Sequence, residues 1–208
     1  KIISRIKKLN GQIEHPVGIL LDTQGPEIRT GDTSQVVDLE PGQLVSFTIR
    51  DEIDVETTSI RVNYDELIES VKVGTLITLD NGLLNFKVLK KTENELECRV
   101  LDGGKLGSKR HVNLPGIRIN LPSITEKDKV DISFGLKQDV DFIALSFVRD
   151  LSDISDLERL IKRQRKKVKI ISKIEDREGL SNISDICSAS DAVMVARGDL
   201  GIETDLSN

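Results

Sequence analysis

Strand and helix texture alternates from residue 114 onward, and the apolar run Val17–Leu21 near the start has the same buried-strand character. Between them, from Thr30 to Asn113, the chain breaks into short β-rich runs punctuated by Pro-Gly, Asn-Gly and Gly-Gly turns. These observations predict an α/β fold: a partial (β/α)8 TIM barrel formed by residues 1–29 and 114–208, with a small all-β barrel domain inserted at 30–113. An open doubly-wound sheet is the second choice, and it would place a ligand along the same sheet edge.

Residues 3–13 predict the end of an amphipathic helix, with Ile3, Ile6 and Leu9 at helical spacing and Gly11 as the stop. Val17–Leu21 reads as a strand buried on both faces. It opens into Asp22-Thr23-Gln24-Gly25-Pro26-Glu27-Ile28-Arg29, whose acids, hydroxyl and arginine at a strand mouth mark a functional loop. In the β-rich segment, Asn81-Gly82 between two strand-like runs is a hairpin signal. A barrel and a sandwich both fit the regular spacing of these runs.

Thr125 with Asp128 three residues on resembles a capping box. Residues 141–147 (DFIALSF) form the next buried strand. Asp153 is expected to cap a helix with Ile154, Leu157 and Ile161 on its inner face. The strand KIISKIE (169–175), a helix with Leu180, Ile183 and Cys187 facing inward, and the strand DAVMVAR (191–197) complete the series. Short connections between such elements mean parallel strands and right-handed crossovers. The outer segments supply four strands, and a closed barrel of this kind needs eight and roughly 250 residues.

The chain has 208 residues with a net charge of −5, and its only dense basic run, KRQRKK at 162–167, reads as a solvated helix face. Nucleic acid is therefore not an expected partner. Two cysteines far apart and two histidines argue against a structural zinc site and point to a reducing, cytoplasmic setting. No signal peptide and no apolar run of membrane-spanning length is present, so no membrane partner is expected. The chain opens on Lys1 rather than Met, within a helical pattern, which leads us to expect a piece of a longer protein.

Lys173 and Glu175 stand two residues apart, so on a strand they project from one face. Asp199 follows the next strand in a Gly-Asp-Leu-Gly turn. Asp22, Ser146, Lys173, Glu175, Arg197 and Asp199 all fall at or near strand ends, where barrel chemistry sits. An ammonium with carboxylates at such an edge suits a divalent cation and an anionic substrate. Lys173 and Glu175 alone would read as an ion pair, Asp22 as a turn acid, and Arg29 and Lys109-Arg110 as surface charges. Gly103–Lys109 lacks phosphate-loop spacing and reads as a hairpin turn. Two separated histidines do not make a Ser/His/Asp device.

The blocks LLDTQGPEIRTGD, NLPGIRINLPSITEKD, DFIALSFVRD, ISKIEDREG and VMVARGDLGIE resemble, in order, successive motifs of the pyruvate kinase family, in its bacterial form. The resemblance covers nearly the whole chain. It implies that Lys173 is the catalytic lysine beside the transferring phosphoryl group and contacts substrate. Glu175 and Asp199 match the Mg²⁺ carboxylates, and Asp22 and Thr23 match K⁺ ligands. Gly198 and Asp199, in the turn with Ala196 and Arg197, match the segment receiving the substrate carboxylate. Arg29, Lys109 and Arg110 match nucleotide contacts, with Glu27 and Arg197 in support. The implied reaction converts phosphoenolpyruvate and ADP into pyruvate and ATP, with Mg²⁺ and K⁺ as cofactors. The full-length parent would be a homotetramer.

The sequence also departs from the family pattern. Gln24 stands where lysine is usual, Arg110-His111 where lysine-glycine is usual, and Asp176 where asparagine is usual. An upstream block bearing an arginine, an asparagine and a serine, a downstream threonine block and the C-terminal domain lie outside these 208 residues. Little or no activity is therefore expected of this chain alone. Two other readings are a different Mg²⁺-dependent barrel enzyme of aldolase type, and an inactive binding or assembly module.

Overall fold

The computed structural model describes residues 1–50 and 58–204. In chain order the elements are α1 (Ile2–Asn10), β1 (Leu20–Asp22), β2 (Val37–Leu39), β3 (Leu44–Thr48), β4 (Thr58–Arg61), α2 (Leu67–Ser70), β5 (Leu76–Leu79), β6 (Leu84–Lys91), β7 (Glu95–Asp102), β8 (Gly104–Leu106) and β9 (Val112–Asn113). They continue with α3 (Glu126–Lys137), β10 (Phe142–Leu145), α4 (Leu151–Arg163), β11 (Lys169–Ile174), α5 (Arg177–Ser181), α6 (Ile183–Ala189), β12 (Ala192–Val195) and α7 (Arg197–Glu203). Contacts divide the chain into two units: Lys1–Pro26 with Leu121–Arg197, and Glu27–Asn120 with Gly198–Asn208. No helix among the described residues is long and apolar enough to cross a membrane.

The first unit is built on a four-stranded parallel sheet in the order β1-β10-β11-β12. Ile143, Ala144 and Leu145 on β10 are all buried, because a parallel strand with a covering on each face has no solvent side. Ile154, Leu157 and Ile161 on α4 and Ile132 and Leu136 on α3 supply the helical side of that core. This is part of a barrel-type α/β layer, as the alternating sequence texture predicts.

Local details refine the sequence expectations. Thr125 and Asp128 do form a capping box at the start of α3. The cap of α4 is Asp150, which accepts the Ser152 N–H. Asp153 sits in the first turn instead and binds Arg149 through its N–H and its guanidinium. An acid at the N-cap and another in the first turn both suit the helix dipole, so sequence alone does not choose between them. The helix expected after β11 is broken at Asn182, whose side chain donates to the Arg149 carbonyl. The break shifts the helical phase: Ile186 is buried, whereas Leu180 and Cys187 are exposed. At the start of the chain, α1 ends at Asn10, with Ile3 and Ile6 half-buried and Leu9 exposed.

The second unit holds a six-stranded, largely antiparallel sheet in the order β4-β3-β7-β6-β5-β9, together with the β2-β8 pair. It is consistent with the expected inserted β-domain. Alternate residues of β6 and β7 point inward, and Phe47 meets Phe86 edge to face at 5.1 Å. Asp80, Asn81 and Gly82 all take positive φ between β5 and β6, as the Asn-Gly signal requires. Cys98 is buried in this core, and burial pushes its thiol up to about 12, which keeps it uncharged and inert. Gly103–Lys109 is not a simple hairpin turn: Gly104–Leu106 forms β8 and pairs with β2.

Two predictions concern stability. A Cβ on Gly103 would lie 2.2 Å from the Leu39 carbonyl oxygen, a backbone atom held by the β2-β8 ladder. Gly103→Ala should therefore cost about 1–3 kcal/mol in denaturant unfolding; an unchanged midpoint would contradict this packing. Asp191 accepts from Lys169 and from the Ile170 N–H, and these bonds, the lysine foremost, hold its carboxyl below the usual 3.8. A depressed folded-state pKa adds stability above the ordinary carboxylate value and loses it as pH falls through the folded pKa. Because the pair is partly exposed, Asp191→Ala should cost about 0.5–1 kcal/mol at neutral pH. The gap from wild type should close in acid below pH 3.8, and a gap that persisted there would rule out this source.

Candidate functional site

In the first unit, register sets the site. Asp22 pairs with Ala144 and Leu145 pairs with Ser172, so β1, β10 and β11 end close to one level. Lys173 lies one residue short of the end of β11 and Glu175 just beyond it. The Lys173 Nζ is 3.1 Å from Asp22 Oδ1, 2.9 Å from Ser146 Oγ and 3.2 Å from Glu175 Oε1. Burial acts to lower the lysine pKa and is the largest single influence. The charges and hydrogen bonds of Glu175 and Asp22 together outweigh it, so the ammonium titrates above its ordinary 10.5. Lys173 is therefore a fixed positive charge throughout the neutral range.

A polar scaffold holds this ammonium in place. The Thr23 N–H donates to the Ala144 carbonyl, extending the β1-β10 ladder by one residue. Thr23 Oγ1 accepts from the Ser146 N–H, and the Ser146 hydroxyl donates to the Thr23 carbonyl at 2.7 Å. Asp128, fully buried, accepts the N–H groups of Gln24 and Gly25 as well as that of Thr125. Its role thus exceeds that of a helix cap: it fixes the backbone just after Asp22 and Thr23. Phe147 carries a positive φ, and its N–H donates to Glu175 Oε2 at 2.7 Å. A bulky residue in that region is uncommon, and such outliers gather at functional sites. Nothing in the run SFVRD marks it beforehand; the position is visible only once β10 and β11 are side by side.

In the second unit, each basic residue assigned to the nucleotide already has an acidic partner. Arg29 reaches Glu27 through Nε and Nη2 and donates to the Lys109 carbonyl. Lys109 pairs with Asp32 at 3.5 Å, and its own backbone is left-handed. Arg110 pairs with Asp80 at 3.2 Å, while its Nε is buried with no hydrogen-bond partner. Asp199 lies in the first turn of α7, 3.7 Å from His111 Nδ1. Burial lowers the His111 pKa below its ordinary 6.5 against the opposing pull of Asp199 and Glu27, so at neutral pH this imidazole is uncharged. Gly198 has open space where a side chain would be, and Arg197 is exposed.

The first unit's donor set is one of hard oxygens: the Asp22 and Glu175 carboxylates and the Thr23 carbonyl. Such ligands suit Mg²⁺ and K⁺, and Mg²⁺ characteristically takes one or two carboxylates and completes its shell with water and phosphate. No three acidic, histidine or cysteine side chains converge as a metal-holding group among the described residues. These oxygens fit part of a coordination sphere for such an ion.

Comparison with known proteins identifies the family. The pyruvate kinase barrel-domain family matches residues 1–208, the whole chain. Plastidial pyruvate kinase 2 of Arabidopsis thaliana is 43% identical over 205 residues, 98% of this chain and 35% of that protein. Pyruvate kinase of Staphylococcus haemolyticus is 44% identical over 205 residues, and that of Staphylococcus aureus 43% over 204, each covering 97% of this chain and 35% of the relative. Bacterial and plastidial relatives match about equally, and the chain spans about a third of their length. With its partial α/β barrel and separate β-rich unit, the chain belongs to the pyruvate kinase family.

Proposed function

We propose that this chain carries the strand-end part of a pyruvate kinase active site, moving a phosphoryl group from phosphoenolpyruvate to ADP. The observation that carries the reading is Lys173, a charged, largely buried ammonium held by two carboxylates and a serine at the C-terminal ends of parallel strands. The P–O bond to the enol oxygen breaks, a P–O bond to the terminal ADP oxygen forms, and the enolate takes a proton to give pyruvate. Such a transfer needs positioning and compensation of negative charge more than covalent chemistry. Lys173 supplies a compact positive charge beside the group in flight.

Glu175 and Asp199 are assigned to Mg²⁺, and Asp22 and Thr23 to K⁺, on their motifs and oxygen chemistry. Bound Mg²⁺ would supply charge compensation for phosphate oxygens. Gly198 and Asp199 are assigned to the substrate carboxylate segment, with Arg197 in support. Arg29, Lys109 and Arg110 are assigned to nucleotide phosphates, with Glu27 as the partner Arg29 keeps in their absence. Their present ion pairs are partly exposed and each is worth about 0–1 kcal/mol, so a polyphosphate can displace the acids. The domain limits at residues 29/30 and 113/114, the cytoplasmic setting to which the two free cysteines are suited, and a homotetrameric full-length protein belong to the same reading.

Two measurements test it. A coupled phosphoenolpyruvate/ADP assay of the 208-residue chain with Mg²⁺ and K⁺ should give little or no turnover, because the chain covers only 35% of its relatives. Turnover near that of a full-length enzyme would contradict the assignment of essential groups elsewhere. In a chimera where this chain replaces the matching segment of the Staphylococcus haemolyticus relative, activity should be present, and Lys173→Met should lower kcat by roughly 10²–10³-fold. An unchanged kcat would remove Lys173 from the mechanism, and consumption of pyruvate-type substrates without ADP would favour an aldolase instead.

A further inference from the structure

The Ser146 hydroxyl occupies a position that none of the assigned roles explains. It is 1% exposed, and its oxygen lies 2.7 Å from the Thr23 carbonyl and 2.9 Å from the Lys173 ammonium. The direction of both bonds is fixed by chemistry. An ammonium can only donate and a carbonyl can only accept, so Ser146 accepts from Lys173 and gives its single proton to Thr23. The two bonds polarise each other: accepting from a cation makes the hydroxyl a better donor, and a good acceptor beyond makes its oxygen more negative. The Ser146 N–H also bonds Thr23 Oγ1, which holds the serine backbone against Thr23.

We propose that Ser146 is a positioning residue that couples occupancy of the monovalent-cation site to the setting of Lys173. This rests on the assignment of Asp22 and Thr23 to K⁺ made above. A carbonyl oxygen has two lone pairs, so Thr23 can accept from Ser146 and still face a cation. With a cation bound there, the Thr23 carbonyl would be a weaker acceptor for the serine hydroxyl. The serine oxygen then becomes a poorer acceptor, and the Lys173 ammonium is less firmly tethered to it. The lysine keeps its ion pairs to Asp22 and Glu175 and gains freedom to follow an incoming phosphoryl group. Asp22 offers a second, direct route between cation and lysine, but its side chain is more than half exposed, so solvent screens that route. The buried hydroxyl carries the larger share.

The test is NMR on the chimera in which this chain replaces the matching segment of the Staphylococcus haemolyticus relative, following the Thr23 carbonyl carbon and the Lys173 ε-carbon while potassium chloride replaces tetramethylammonium chloride at constant ionic strength. In the wild type both signals should move with one apparent affinity. In Ser146→Ala the Thr23 signal should still move, while the Lys173 response falls to about half or less, the remainder passing through Asp22. Ser146→Cys keeps the volume but is a weak donor and acceptor; it should behave like the alanine variant and serves if that variant does not fold. Equal Lys173 responses in wild type and variant would overturn the coupling while leaving the cation site intact. A Thr23 signal indifferent to potassium in the wild type would overturn the cation assignment, and the coupling with it.

Discussion

Everything else in the first unit is arranged around keeping one ammonium charged in a mostly buried place. Removing an ammonium from water is costly, and a lone buried lysine would lose its proton rather than stay charged. Glu175 and Asp22 reverse that outcome for Lys173, because their charges and hydrogen bonds outweigh the loss of solvent, and Ser146 adds a further hydrogen bond to the ammonium. Those three groups come from β1, from the residue after β11 and from the residue after β10, so the charge depends on parallel pairing in one register. A slip of one residue would turn each side chain to the opposite face of the sheet.

That dependence explains the otherwise excessive number of polar contacts next to the sheet. Asp128, a fully buried carboxylate, accepts the N–H groups of Gln24 and Gly25. Thr23 and Ser146 exchange two hydrogen bonds across the β1-β10 junction. Gly25 takes a positive φ against Phe147, and a Cβ there would collide with that ring and with Ser146. Each device removes freedom from the loop after β1, so the acid facing Lys173 has one position rather than many. Preorganisation of this sort is what charge-stabilising catalysis requires, since nothing needs to reorganise as charge develops.

The second unit follows another logic. Its stability comes from an inward-facing apolar row on β3, β5, β6 and β7 and from turns in which Gly42, Gly74 and Gly82 take positive φ, while its basic residues stay near the surface in weak pairs. A strong pair there would have to be broken for any anion to bind. A weak one leaves the cations ordered and available.

The alternation of strands and helices, the interruption by a β-rich segment, the capping box at Thr125 and the turn at Asn81-Gly82 are legible in the amino-acid order. Each follows from local periodicity or from a residue with a strong backbone preference. Sequence also placed Lys173 and Glu175 on one strand face, since a period of two requires it. Packing alone brought Asp22 and Ser146 to the same lysine, Asp128 across 104 residues to Gln24, and the Phe147 N–H to Glu175. The choice of Asp150 over Asp153 as a cap, and of Ile186 over Cys187 as a core residue, was settled the same way. The physical reason is common to all of these. A hydrogen bond between strands far apart in sequence leaves no trace in either strand's composition, and it exists only when packing has brought the two ends to one level.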